Sequence, residues 1–394
     1  MNKEILKEKA MAMKPWLVQI RRDFHRHPEL SLEEKRTSKE IRRHLGEMGI
    51  PYETYEGQTA VIALIKGAQE GKTVALRGDM DGLPIQEKNK TEYCSIIDGV
   101  MHACGHDAHI TILLGAAKLL SGMTDKIKGN IKLLFQPAEE TVGGAERMVK
   151  SGCMENPKVD YAIGLHVMPY LPCGIIESRH GALNGASDNI YIHIKGKAAH
   201  GAYPEMGTDA IFLAGHVITA LQGVASRSVS PLDSVVLTLG TIEGGVKENV
   251  LAEEVKIRGT LRTLHPVTRT MVKERIKRIV AYVCASYEGE GHVEIEEGYE
   301  ALINDPEVVD IIQHTAEEYL GKKTFIWKEK PSLGVEDMSY FIKASKGAYY
   351  HLGCGNIEKN IIAPLHNERF DIDEDCLSIG VMMQAAIALE LLNR

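Results

Sequence analysis

The stretch TVALRGDMD, residues 73–81, joins an apolar strand pattern to a pair of acidic residues and indicates the class of fold. Strand and helix patterns alternate around it. They predict a helical N-terminus to about residue 50, strands at 59–67, 73–81, 130–136 and 161–167, and helices at 108–120 and 143–152. Apolar strands that alternate with helices are typical of a mostly parallel sheet with helices on both faces. The sequence therefore predicts an α/β fold.

The pattern changes near residue 187. Strand patterns at 188–198, 234–245, 254–263 and 292–298 enclose helices at 209–226 and 266–288. This βαββαβ order is typical of a ferredoxin-like α+β domain. After residue 301 the α/β pattern resumes and ends in a helix at 373–392. We expect a catalytic domain of residues 1–186 and 300–394, interrupted by an inserted domain of residues 187–299.

The composition excludes some classes of function. The 394 residues include 54 acidic and 46 basic side chains, a net charge of −8, whereas a nucleic-acid binder needs a basic surface. The chain has no run of eighteen apolar residues, and MNKEILKEKA lacks the apolar region of a secretory signal. Seven scattered cysteines do not suggest a disulfide framework. We expect a cytoplasmic protein that binds neither nucleic acid nor membranes.

Polar side chains stand at or just beyond the carboxyl ends of three predicted strands. Asp79 and Asp81 end the strand pattern at 73–81, Glu139 and Glu140 follow that at 130–136, and His166 lies near the end of that at 161–167. Ligands of parallel sheets bind beyond the carboxyl ends of the strands. These side chains are therefore predicted to meet at one edge of the sheet.

The segment HACGHDAH, residues 102–109, is dense in metal-binding residue types. Cys104 and His106 are two apart, so an extended segment would project both to the same side, and the glycine between them permits tight geometry. The alternative is a polar loop whose histidines cap the next helix. His102 and His109 are predicted to play supporting or structural roles.

The pair Glu139-Glu140 suits metal-assisted proton transfer, since one carboxylate can bind a metal while the other handles a proton. Pro137 fixes the chain direction before the pair. The alternative is an exposed acidic helix start, which the helix dipole favours. On local sequence alone, His166 is equally a buried core histidine or a ligand, and the loop histidine His366 is uninformative.

Together, these residues resemble the M20 peptidase family of dinuclear metal amidohydrolases, in particular its aminoacylase, hippurate hydrolase and auxin-conjugate amidohydrolase branch. The resembling motifs occur in the order of the family and cover almost the whole chain. They are RRDFHRHPELS (21–31), GDMDGLP (78–84), DGVMHACGHDAH (98–109), FQPAEE (135–140), GLHV (164–167), KGKAAHGAYPEMGTDAI (195–211), GVEDMSYF (334–341) and the His366 loop. The resemblance implies a zinc-exopeptidase-like catalytic domain with an inserted lid domain that forms a dimer interface.

The resemblance also implies roles for individual residues. Glu139 would be the general base, and Asp81 would hold a histidine ligand in place. The implied metal ligands are Cys104, His106, Glu140, His166 and His366. Two divalent ions per subunit are implied, and the mixed donor set admits Zn, Mn, Co or Ni. Asp79 stands where the broader family has histidine, so no ligand role is carried over to it.

In the inserted domain, the resemblance assigns His200 to oxyanion stabilisation in the active site of a partner subunit. Asn249 and Arg262 match residues that hold the carboxylate of the substrate, for which a guanidinium is well suited. The segment after Asn249 reads Val250-Leu251-Ala252 and lacks the proline that is usual in the family. A homodimer, or a tetramer built from it, is implied.

The implied reaction is hydrolysis of an N-acyl amino acid, such as an N-acetyl or N-benzoyl derivative, to a carboxylate and a free amino acid. A metal-bound hydroxide would attack the amide, with Glu139 as base. The alternative within the same fold is a metallo-exopeptidase acting on short peptides, either a carboxypeptidase or a dipeptidase. A non-catalytic metal-binding protein is disfavoured because the ligand set is complete. A redox role for Cys104 is disfavoured because the nearest cysteine in sequence is Cys94.

Overall fold

The structure is a computed structural model that describes residues 3–394. It divides into two compact units. The larger unit comprises Met1–Leu183, Ile303–Lys330 and Asp337–Arg394. The smaller unit comprises Asn184–Leu302 and Pro331–Glu336.

The helices and strands follow the alternation that the sequence predicts. The helices are α1 (Lys3–Ala12), α2 (Lys14–Arg26), α3 (Lys35–Glu47), α4 (His106–Ser121), α5 (Gly144–Lys150), α6 (Ala210–Arg227), α7 (Pro266–Ala285), α8 (Pro306–Leu320), α9 (Met338–Lys343) and α10 (Asp375–Leu392). The strands are β1 (Tyr52–Glu53), β2 (Val61–Lys66), β3 (Gln69–Asp79), β4 (Lys128–Gln136), β5 (Tyr161–Pro172), β6 (Ile176–Ser178), β7 (Gly181–Asn184), β8 (Ala186–Lys195), β9 (Val235–Gly244), β10 (Glu254–Thr263), β11 (Glu290–Glu297), β12 (Leu302–Asn304), β13 (Phe325–Trp327) and β14 (Lys346–Gly355).

The larger unit is built on an eight-stranded sheet in the order β1-β2-β4-β3-β5-β14-β6-β13. Its centre is parallel, since β3 pairs in parallel with β4 and β5, and β5 with β14. Antiparallel pairs add β2 and β1 at one side and join β6 to β14. The predicted mostly parallel α/β sheet is confirmed.

Buried helices cover this sheet. α10 is 18 residues long and apolar enough by composition to cross a membrane, but 78% of it is buried inside the protein. It packs against α2, α4 and α8 in the hydrophobic core. α10 is therefore a core helix of the larger unit.

The smaller unit is a four-stranded antiparallel sheet in the order β11-β8-β10-β9. Alternate residues of β8, including Ile190, Ile192 and Ile194, are fully buried. They share a hydrophobic core with residues of α6 and α7. Between β8 and β11, the elements follow the predicted βαββαβ order.

Glycines end two helices where the sequence predicts. Gly49 follows α3 at φ +68° and Gly152 follows α5 at φ +94°, and both lie in the left-handed region that favours glycine. The short elements β1, β6, β7, β12 and α9 are not predicted from the sequence. Elements of two to six residues carry too few positions for a periodic pattern.

Lys132 is an unusual component of the core. It lies in β4 with 2% of its surface exposed, and burial lowers the pKa of its ammonium group. Its Nζ donates to the backbone carbonyls of Cys153, Glu155 and Pro157 at 2.9, 2.6 and 3.1 Å. The side chain thereby provides a hydrogen-bond donor for three backbone carbonyls of the loop between α5 and β5.

Replacing Lys132 by methionine is expected to lower the unfolding free energy by about 2–4 kcal/mol, because three backbone carbonyls, one of them buried, lose the same donor. Thermal and urea unfolding, followed by circular dichroism, measure the loss. The control is Lys128→Met on the exposed first residue of the same strand. Equal stability of the two variants would contradict a structural role for the Lys132 contacts.

Candidate metal centre

The predicted metal ligands of the larger unit converge. Donor atoms of Cys104, His106 and His166 lie within 4.8 Å of one another, and so do those of Cys104, Glu140 and His366. The Cys104 Sγ lies 3.3 Å from Nε2 of both His166 and His366. The two groups of donors therefore share one thiol.

The fit to metal ions is tested by the buried donor atoms. Nε2 of His106 and Oε1 of Glu140 are buried and have no hydrogen-bond partner within residues 3–394. They lie 3.8 Å apart, and Glu140 Oε1 lies 3.2 Å from His366 Nε2. Buried polar atoms normally form hydrogen bonds, so two such atoms that lack a hydrogen bond and lie among other possible ligand atoms fit a cation site. Thiolate, imidazole and carboxylate donors suit a transition-metal ion.

The pKa values of these groups are shifted in different directions. Burial raises the pKa of the Cys104 thiol well above its usual value and lowers that of His166 well below it. Burial opposes protonation of His106, but the carboxylate of Asp79 and the neighbouring Cys104 outweigh it and raise its pKa. Metal ligands bind deprotonated, so uptake of a cation here would displace protons.

Glu139 lies beside the ligands and is only 8% exposed. Oxygen and nitrogen atoms of His106, Glu139 and Glu140 lie within 4.8 Å of one another. The structure thus brings the predicted general base to the predicted ligands.

Asp81 connects the ligands to the loop that carries Glu139. Its Oδ1 accepts from the His106 ring at 3.2 Å and from the backbone N–H of Glu139 at 3.2 Å. Its Oδ2 accepts from the N–H of Glu140 at 3.0 Å and from the Ser31 hydroxyl at 2.7 Å. Burial opposes the charged carboxylate, but the hydrogen bond and charge of His106, together with the hydrogen bonds from Ser31 and the Glu140 N–H, outweigh it and lower the Asp81 pKa.

His109 is occupied by structural contacts. Its Nδ1 lies 2.5 Å from the Asp79 carboxylate, and its Nε2 accepts from the N–H of Val167 at 3.0 Å. Both ring nitrogens are in use, and His109 thereby links α4 to β3 and to β5. Asp79 is further paired with Arg77.

Asp337 lies in the same buried network. Its carboxylate accepts from Arg77 at 2.9 Å, from the Gln136 amide at 2.7 Å and from the N–H of Ala145 at 3.0 Å. It thereby joins the ends of β3 and β4 to the start of α5. His102 is also buried, which lowers its pKa to about 4, and neither ring nitrogen is hydrogen-bonded within the described residues.

The expectation that Cys104 and His106 lie on an extended segment is wrong. Gly105 between them adopts φ +84°, and α4 begins at His106. A left-handed residue reverses the chain locally, so the thiol and the imidazole meet across a turn. The alternative in which histidines cap this helix also fails, because the N-cap is Gly105 and no side chain caps it.

Sequence reasoning missed a buried cluster of ionisable side chains that joins α2 to the start of α4. Asp107 Oδ2 accepts from Arg21 Nε at 2.8 Å and lies 2.7 Å from His25 Nδ1. All three side chains are at most 1% exposed. Arg21 and His25 belong to the quoted motif RRDFHRHPELS, whose resemblance to the family motif was the only available signal.

The predicted oxyanion-stabilising residue His200 and the two predicted substrate-binding residues, Asn249 and Arg262, lie in the smaller unit. His200 and Asn249 are brought together, because His200 forms a β-bridge with Val250 and Gly201 N–H donates to the Asn249 carbonyl at 2.8 Å. Both side chains are exposed. Arg262 lies on β10, opposite Ser187 of β8.

Comparison with known proteins identifies the family. The sequence model of the family described as peptidase family M20/M25/M40 matches residues 75–390. The chain belongs to this family of metal-dependent hydrolases.

Individual relatives extend over nearly the whole chain. It is 37% identical to thermostable carboxypeptidase 1 of Saccharolobus solfataricus over 99% of both chains. It is 38% identical to an N-acetyl-L-cysteine deacetylase of Bacillus subtilis, over 92% of this chain and 84% of the relative. The solved structure of a dinuclear metal-binding M20 peptidase from Bacillus subtilis is 31% identical, with a TM-score of 0.84 over 97% of this chain and 99% of that chain.

Gly105 gives a direct test of the turn. A Cβ there would lie 2.4 Å from Val167 Cγ2 and 3.3 Å from Phe370 Cζ. Gly105→Ala is therefore expected to displace Cys104 and His106 and to weaken divalent-metal binding at least tenfold, measured by titrating the metal-free protein.

Gly99 provides the control. It has a similar φ of +73°, but a Cβ there meets nothing within 4 Å. Gly99→Ala is expected to add backbone strain of about 1 kcal/mol and to leave metal affinity unchanged. Loss of affinity in both variants alike would contradict the specific role of the turn.

Proposed function

We propose that this protein hydrolyses the amide bond of N-acyl amino acids, such as N-acetyl or N-benzoyl derivatives, to a carboxylate and a free amino acid. The observation that carries the proposal is the pair of donor groups that share Cys104 and have Glu139 beside them. The deacetylase relative supports an acylated amino acid as substrate.

Two divalent ions fit the two groups of donors. Cys104, His106 and His166 would hold one ion, and Cys104, Glu140 and His366 the other. When bound, such ions lower the pKa of a water molecule and polarise the scissile carbonyl. The donor chemistry admits Zn, Mn, Co or Ni.

Glu139 would transfer protons in this reaction. Its carboxylate accepts a proton from the attacking water and returns it to the nitrogen of the leaving amine. The neighbouring Glu140 is committed to the ligand set through its contacts with His106 and His366. The backbone N–H groups of Glu139 and Glu140 both donate to Asp81, which fixes the loop that carries the two carboxylates.

For the inserted domain, which we place at residues 187–299, the motif resemblance supports three roles. His200 would stabilise the oxyanion in the active site of a partner subunit, and Asn249 and Arg262 would hold the substrate carboxylate. The assembly would then be a homodimer, or a tetramer built from two such dimers. All seven cysteines are free, which supports a reducing, cytoplasmic location.

The second candidate function is a carboxypeptidase or dipeptidase. It is favoured by the 37% identity to thermostable carboxypeptidase 1 over 99% of both chains. The reacting bond is an amide in both cases, and both substrates end in a carboxylate. They differ in the group on the other side of the scissile bond, which is a simple acyl group in one case and an aminoacyl group in the other.

Glu139→Gln is expected to lower kcat about 10²- to 10⁴-fold, because the amide cannot accept the proton. Metal content, measured by mass spectrometry, should stay unchanged. Chelation should abolish wild-type activity, and added Mn²⁺, Zn²⁺, Co²⁺ or Ni²⁺ should restore it. The control is Glu146→Gln on the exposed face of α5. Full activity of Glu139→Gln would exclude the proposed mechanism.

Arg262→Ala is expected to raise KM for an N-acyl amino acid about tenfold or more, because a charge-assisted contact to the carboxylate is lost. Activity on the corresponding amino-acid amide, which lacks the carboxylate, should not change. The control is Arg258→Ala, an exposed arginine on the same strand.

Hydrolysis rates on matched panels of N-acyl amino acids and free dipeptides rank the two candidate functions, and preference for free dipeptides would favour the second.

A further inference from the structure

The loop that carries Glu139 and Glu140 has a strained backbone. Ala138, which directly precedes the pair, lies at φ +56° and is fully buried. Residues with a Cβ rarely adopt this left-handed conformation, and they keep it only when the surrounding structure holds them there. The contacts that hold Ala138 therefore determine where Glu139 and Glu140 point.

Carboxylates accept the backbone N–H groups of three consecutive residues in this loop. The N–H of Ala138 donates to Glu34 Oε1 at 2.9 Å. The next two N–H groups, of Glu139 and Glu140, donate to Asp81 at 3.2 and 3.0 Å. On its other side, the Ala138 carbonyl accepts from Gly143 and Gly144. Both peptide groups of Ala138 are thus fixed.

Glu34 is itself held firmly. It is fully buried at the start of α3. Its Oε1 also accepts from the N–H of Leu32 at 3.0 Å, and its Oε2 accepts from the Thr59 hydroxyl at 2.7 Å. These contacts aim one carboxylate oxygen at Ala138, from a position 104 residues away in sequence.

We propose that Glu34 is a positioning residue for the catalytic loop. Its carboxylate oxygen holds Ala138 in the left-handed conformation and thereby sets the direction of Glu139 and the placement of Glu140. The proposal rests on the proposed roles of Glu139 in proton transfer and Glu140 in metal binding. Glu34 acts through the backbone and does not touch the reacting groups.

The role of Glu34 is that of an acceptor at Oε1, and its charge is secondary. In Glu34→Gln, the amide oxygen can still accept from Ala138 and Leu32, while the amide nitrogen can donate to the Thr59 hydroxyl. In Glu34→Met, a side chain of similar length provides no acceptor. The two variants therefore separate positioning by a hydrogen bond from an effect of charge.

The experiment measures kcat and KM on an N-acyl amino acid and metal affinity by titration of the metal-free protein. Glu34→Met is expected to lower kcat about tenfold, which corresponds to about 1.4 kcal/mol. KM should stay within twofold, because substrate contacts are unaffected, and metal affinity should fall about threefold. Glu34→Gln should keep at least half of the wild-type kcat. The control is Glu33→Met on the neighbouring exposed carboxylate.

Ala138→Gly tests the backbone mechanism itself. Glycine adopts positive φ without strain, so the loop needs less support from Glu34. The loss caused by Glu34→Met should therefore be at least threefold smaller in the Ala138→Gly background than in the wild type. Equal losses in both backgrounds would overturn the proposal, as would a Glu34→Met variant that matches Glu33→Met in kcat and in metal affinity.

If Glu34→Met does not fold, Thr59→Val serves instead, since it removes the donor that orients Glu34. It should lower kcat two- to threefold, and unchanged kcat and metal affinity would overturn the proposal. Should the wild type hydrolyse no N-acyl amino acid or peptide, the metal titrations still decide the matter. A loss of affinity that Ala138→Gly relieves would support the role of Glu34 while the proposed function fails.

Discussion

The structure depends on one electrostatic constraint: the buried Cys104 thiol, two buried imidazoles and the partly buried Glu140 carboxylate lie together at one edge of the sheet, beside the exposed imidazole of His366. Unpaired polar atoms are costly in a protein interior, and Nε2 of His106 and Oε1 of Glu140 have no hydrogen-bond partner within residues 3–394. A divalent cation would supply the missing interaction. The fold places the donors, and the cation would compensate for burying them.

A network of hydrogen bonds and ion pairs behind the ligands makes this arrangement possible. Asp81 ties the His106 ring to the loop of Glu139 and Glu140. Below it, His109 pairs with Asp79, and Asp79 pairs with Arg77, which also reaches Asp337. Each carboxylate is matched by a donor, so the positions of the metal ligands do not depend on flexible side chains alone. This is the pre-organisation that metal sites need.

The local sequence predicted most of the fold and the edge of the sheet at which the candidate ligands meet. Apolar runs such as that of β3, followed by an acidic residue or a histidine, indicated that edge, whereas the role of His366 and the complete ligand set were implied only by the motif resemblance. The contacts of Glu34 with Ala138 and of His25 with Asp107 leave no such signal, because they join residues 104 and 82 positions apart. The prediction of an extended segment for Cys104–His106 was wrong because Gly105 adopts a positive φ, which turns the chain between the two residues.

X-ray absorption spectroscopy of the zinc-loaded protein, with metal counting by mass spectrometry, tests the proposal that two ions share the Cys104 thiolate. A shared thiolate gives two ions per chain and an average of about one sulfur neighbour per ion, at about 2.3 Å. Two ions with an average of about half a sulfur per ion, or a single ion per chain, would contradict it.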